Sequence, residues 1–149
     1  KTFRAFWTFL QSCDNVVFYV YSHKERTTLK QLMERYGLDS ATFEIYKARE
    51  YDLYQQLIVE YSDWPTFSYG IKHIAKWVGF QWRDLDPSGA NSIAWYNDYL
   101  HEPGNSRLMQ RILDYNEDDC YAMLAIKRHF ECYRQAGQVE SATEPRNIA

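Results

Sequence analysis

The amino-acid sequence predicts an α/β domain with an incomplete sheet and a mostly helical remainder over residues 1–136, followed by a polar tail over 137–149. Three observations carry this reading. Val16 to Tyr21 is an unbroken run of β-branched and aromatic residues, which suits a strand covered on both faces; a half-exposed strand would alternate. Most of the remaining apolar residues recur at helical spacing. Finally, 149 residues with 17% aromatics are enough for one hydrophobic core and too apolar for a disordered polymer.

Taken in order, Thr2 to Trp7 alternates loosely and predicts a short strand, and Val16–Tyr21 predicts the central one. Leu29, Leu32, Met33 and Tyr36 stand at i, i+3, i+4 and i+7, so a helix follows, with Gly37 as its left-handed stop. Residues 40–61 read as one or two further helices, although Leu57-Ile-Val59 also suits a strand. Pro65 breaks the pattern. Ser68 is then the expected cap of a helix with the stripe Ile71, Ile74, Ala75 and Val78, closed by Gly79. Asp86-Pro-Ser-Gly89 is a turn before a helix from about Asn91 to His101, and Pro103-Gly104 is another. Asn105 to about Gln135 is helical, in one piece or in two meeting near Asp114, and Gln138–Ala149 is expected to fray. One strong strand needs partners, and this chain offers few.

Composition excludes several roles. The net charge of −3 provides no overall basic field, so nucleic-acid contact has to be local or aided by cations. Cys13, Cys120 and Cys132 are odd in number and lack C-x-x-C spacing, which argues against a disulfide framework and a zinc site. Reduced thiols fit a cytoplasmic protein. No apolar run is long enough to span a membrane, and the amino end lacks a signal pattern. Lys1 to Trp7 already reads as structured, so the chain is expected to open inside a domain.

The chemistry concentrates in two places. Asp114, Glu117, Asp118 and Asp119 are four acids within residues 114–119. On a helical wheel Asp119 shares the apolar face of Ile112, Tyr115, Ala122, Ile126 and Phe130. An inward carboxylate has to be protonated, paired with a base, or bound to a metal. Asp118 and Glu117 are rotated away and are expected to face water, their acidity serving the helix macrodipole. Glu25 likewise stands four residues before Leu29, at the carboxyl edge of the predicted strand, where α/β sheets collect ligands. It is equally readable as an ordinary acid in a helix's first turn. Two inward carboxylates at helix starts suggest half of a site for hard cations such as Mg²⁺ or Mn²⁺, which take oxygen ligands. Two such ions ~3.5–4 Å apart clamp an in-line phosphoryl displacement.

Tyr115-Asn-Glu-Asp-Asp119 resembles the Y-x-x-x-D motif of the DEDDy class of 3′–5′ exonucleases, which have a ribonuclease-H-like fold. Val20-Tyr-Ser-His-Lys-Glu25 followed by Leu29 resembles that class's second motif, with Glu25 where Asp is usual. The stretches Ser68 to Asp84 and Arg111 to Cys120 are similar to a narrower family, the bacterial predicted RecB-family nucleases with a ribonuclease-H-like domain. The resemblance spans about Val16 to Phe130. It implies a metal-dependent nuclease acting on DNA or RNA through two Mg²⁺ or Mn²⁺ ions, with a fused or associated helicase as a further expected partner. Asp119 would be a metal ligand, and Tyr115 would orient the attacking water. Glu25 would be the second-motif carboxylate, direct or through a metal-bound water. Lys72 and Lys76 could meet a phosphate backbone, or simply form a solvated helix face. Trp77 and Trp82 could stack on bases or fill the core.

The class also needs an Asp-x-Glu on its opening strand, and none occurs in these 149 residues. The resemblance would put it upstream of Lys1. Residues 1–149 alone are therefore expected to bind metal weakly and to be inactive. The alternative is a catalytically inactive ribonuclease-H-like module that binds nucleic acid or a helicase.

Overall fold

The computed structural model describes residues 2–12 and 15–143, with side chains described for 3–12 and 15–133. The chain divides into two compact units, Lys1–Tyr69 and Gly70–Ala149. The described residues are mostly helical, with one small parallel sheet. None of their helices is long and apolar enough to cross a membrane.

The first unit opens with α1 (Thr2–Ser12), where a short strand was expected. Phe3, Phe6, Trp7 and Leu10 have helical spacing once the window reaches Leu10; six residues were too few to separate period 2 from period 3.6. Trp7 and Leu10 are buried against Phe43 and Tyr46, with Phe18, Leu29 and Met33 packed around them. The expected central strand shortens to β1 (Phe18–Val20), and it is not covered on both faces. Val20 is buried, whereas Val17 and Tyr19 are 53% and 40% exposed. The partner, missed by sequence, is β2 (Glu50–Asp52), parallel in the register Phe18↔Glu50 and Val20↔Asp52. Glu-Tyr-Asp has no apolar pattern, so its pairing comes from where α2 (Lys24–Tyr36) and α3 (Ser40–Arg49) deliver it.

Helix α2 ends as predicted. Gly37 is left-handed at φ 58°, and the Gly37 and Leu38 amides close on the Glu34 and Met33 carbonyls. A Cβ at Gly37 meets no atom within 4 Å, so Gly37→Ala isolates the backbone cost of the left-handed state. We expect a loss of about 1–2 kcal/mol, read from urea denaturation.

Asp39 caps α3, accepting from the Ala41 and Thr42 amides at 2.9 and 3.0 Å. The buried Thr42 hydroxyl donates to Asp39 and accepts from Gln11 at 2.8 Å, so no polar atom is stranded there. After β2, Tyr54–Val59 forms a π-helical turn, which removes the strand alternative for Leu57–Val59.

The second unit packs α4 (Ile71–Trp77) and α5 (Gly89–His101) on α6 (Ser106–Thr143). Its core is Ile74, Ala75, Trp95, Tyr115, Ala122 and Ile126. The cap of α4 is Gly70 rather than Ser68. Gly79, at φ 90°, lets the chain turn back as the Phe80 amide donates to the Ala75 carbonyl at 2.9 Å. Ser88 caps α5, its side chain accepting from the Asn91 amide at 3.0 Å. Helix α6 is one piece through Asp114, and its backbone continues to Thr143, into the stretch read as a polar tail. Cys120 and Cys132 are exposed and outside any disulfide; Cys13 lies outside the described residues.

Candidate active site

Helix α6 turns Tyr115, Asp118 and Asp119 toward α4 and the loop 78–88. Tyr115 is 7% exposed and packs edge-on against Trp95, ring centroids 6.0 Å apart. Its hydroxyl accepts from Lys72 Nζ at 3.1 Å, and the same ammonium lies 4.7 Å from the Tyr115 ring centroid and 5.8 Å from that of Trp82. Lys72 also donates to the Pro87 carbonyl. The Trp82 indole N–H donates to Asp119 Oδ1 at 2.8 Å. Lys72, Trp82, Tyr115 and Asp119 thus form one connected polar cluster against an aromatic wall.

The electrostatics follow from this packing. Burial pushes the Tyr115 phenol up to about 12, helped by the Asp119 charge and its hydrogen bond with the phenol. Burial lowers the Lys72 ammonium, while Asp119, Asp86 and Asp84 oppose that shift. The sign for stability is definite. Between pH 10 and about 12 the folded chain holds a proton the unfolded chain has lost, so Tyr115 stabilises below pH 10 and that contribution fades as pH rises. In an ultraviolet titration, the difference between the parent and Tyr115→Phe should place the missing phenolate near pH 12. Asp119→Asn should bring it lower.

Asp118 is not water-facing as the wheel suggested: it is buried at 5% exposure. The Arg83 backbone N–H donates to its Oδ2 at 2.8 Å, and Arg83 Nε donates to its Oδ1 at 2.8 Å. The same guanidinium donates to Glu117 at 2.7 Å and to the Asp114 carbonyl at 2.9 Å. The macrodipole therefore does not explain the acidic cluster. Helix α6 begins at Ser106, so Asp114 to Asp119 lie beyond its first turn; Arg83 collects Asp114, Glu117 and Asp118 instead. Sequence reasoning missed Arg83. The available signal was four acids in six positions on one helix without enough cations beside them.

Trp82 is partly buried and spends its indole N–H on Asp119 rather than only filling the core. Trp77 is 47% exposed and meets His129 edge-on. Lys76 is exposed, and its ammonium makes no hydrogen bond or ion pair among the described residues. Glu25, in the first unit, stands in the first turn of α2 and is exposed rather than inward. It lines a hollow of about 510 Å³ with Val20, Leu29 and Tyr46. Partial desolvation there raises its carboxyl above the usual range, and Glu50 and Asp52 add to this. At the end of β1, Ser22 is held at φ 77° with its amide on Asp52 Oδ1 at 2.9 Å, which fixes the entry into α2.

The family model RNase_H_2, of the RNase H superfamily, matches residues 1–131. The chain belongs to the RNase H superfamily. No curated protein and no solved structure matches it. Membership points to nucleic-acid processing, and nucleases of the superfamily typically use divalent metals. The carboxylate oxygens of Asp119 suit a hard cation in kind. The described residues contain no group of three or more His, Cys, Asp or Glu able to hold a metal ion, so in number the residues around Asp119 do not compose a divalent-ion site.

Proposed function

We propose that the protein is a nuclease that hydrolyses phosphodiester bonds in DNA or RNA, of the DEDDy 3′–5′ exonuclease type and akin to the RecB-family nucleases. The observation that carries this reading is the Lys72–Tyr115–Asp119 chain of contacts, with Trp82 on the carboxylate, in a chain of the RNase H superfamily. A phenol oriented by an ammonium on one side and a carboxylate on the other can hold a water in a fixed direction. Lys72 adds a positive charge at the same point, suited to a phosphate oxygen. Lys76, one turn on and exposed, can extend that contact along a strand. Asp119 offers one carboxylate of the several that a Mg²⁺ or Mn²⁺ site would require; Glu25, in the other unit, is the carboxylate that the family resemblance would add.

The test is cleavage of end-labelled single-stranded DNA and RNA by the full-length protein, with Mn²⁺ or with EDTA. Mn²⁺-dependent laddering is the expected result. Absence of cleavage of both substrates by a folded protein would favour a second reading, a module that binds nucleic acid or a helicase without cutting. That reading is motivated by the lack of a three-ligand metal group among the described residues.

A further inference from the structure

Arg107, Arg111, Tyr115 and Asp119 follow one another at intervals of four along α6 and so form one ridge, each about 6 Å further along the axis than the last. Beside it lies a cleft of about 250 Å³, lined by Arg83, Arg107, Arg111 and Tyr115 together with Asp84 and Asp114. The charges in this cleft are unequally committed. Asp84 accepts from Arg111 at 2.5 and 3.2 Å. Asp114 accepts from Gln110 at 2.7 Å and from Arg83 at 3.4 Å. Arg83 is further engaged by Asp118 and Glu117. The Arg111 guanidinium is fixed, 4.0 Å from the Trp95 ring centroid.

Arg107 alone among these cations is uncommitted: it is exposed, and its guanidinium makes no hydrogen bond or ion pair among the described residues. It also stands in the first turn of α6, which holds no acid and where the helix macrodipole disfavours a cation. A bound anion would relieve both conditions. The planar guanidinium fork matches two oxygens of a phosphate.

We infer that Arg107 binds a backbone phosphate of a single nucleic-acid strand, in the cleft that leads along α6 to Tyr115. The inference deepens the nuclease reading and rests on it for the identity of the strand. Arg107 precedes Tyr115 by about 12 Å along the helix axis, so the phosphate it holds flanks the reacting one. Its contribution is therefore to binding and not to bond breaking.

The experiment measures binding of fluorescein-labelled oligo-dT and oligo-U to the full-length protein by anisotropy, in EDTA, across a potassium chloride series. Arg107→Ala should weaken binding up to about fivefold at low salt. It should also reduce the slope of log affinity against log salt by about 0.7, the share of one single-strand phosphate contact. Arg107→Lys should restore the slope, since a point charge still displaces a counterion. In cleavage, Arg107→Ala should raise KM and leave kcat unchanged. Parental affinity and slope in Arg107→Ala, or no oligonucleotide binding by the parent, would overturn the inference. Because binding is read without metal, loss of the Arg107 slope in a protein that never cleaves would remove the nuclease reading and leave the phosphate site standing.

Discussion

Asp119→Asn should abolish cleavage by the full-length protein while leaving its fold intact. The substitution conserves shape, and the amide oxygen can still accept from the Trp82 indole, so the bond seen at 2.8 Å survives in kind. What disappears is the negative charge, which both orients the Tyr115 phenol and supplies an anionic oxygen to the site. Losing one positioned electrostatic contact of a reacting site costs on the order of 10²–10³-fold in rate. Rates from single-turnover assays on end-labelled strands, alongside circular dichroism melts, separate this from unfolding. Asp119→Ala should lose activity equally, and should also leave the indole N–H without its acceptor. Unchanged Mn²⁺-dependent cleavage in either variant would remove Asp119 from the site.

Arg83→Ala should lower the melting temperature on the order of 5–10 °C, because it leaves Asp118 buried with no cation beside it. Asp118→Ala should cost less. The Arg83 side chain is 49% exposed and keeps its contacts to Glu117 and Asp114 when Asp118 is gone. The double variant should melt above Arg83→Ala, since it removes the stranded carboxylate. Scanning calorimetry of the three variants reads this ordering directly; equal melting temperatures for Arg83→Ala and the parent would show that water reaches Asp118. The same contacts carry a functional consequence. Arg83 follows Trp82 directly, and its backbone N–H is held by Asp118, so the pair fixes the loop that brings the indole to Asp119.

The elements most legible in the sequence were those whose signal is local. The stripe Leu29–Tyr36 with Gly37 and the long final helix both depend on spacing and on a few special backbone positions. These survive whatever the chain packs against. Tyr115 and Asp119 could be singled out on the same ground, because a wheel puts them on the apolar face of their own helix. The strand partner β2 was invisible because Glu50-Tyr-Asp52 has no periodicity; helices α2 and α3 determine that it lies beside β1. Thr2–Trp7 misled because a six-residue window holds less than two helical turns.

The site divides in the same way. Sequence alone determined the residue types, their order, and the carboxylate turned inward beside a tyrosine one turn earlier. Only tertiary structure decided the partners: Lys72 on the Tyr115 hydroxyl, Trp82 on Asp119, and Arg83 across Asp114, Glu117 and Asp118. It also reversed the expected exposure of Asp118. A helical wheel assigns a direction to each side chain, but burial depends on what lies in that direction. Here it is a loop from 35 residues earlier in the chain, carrying an arginine that no spacing within α6 could reveal.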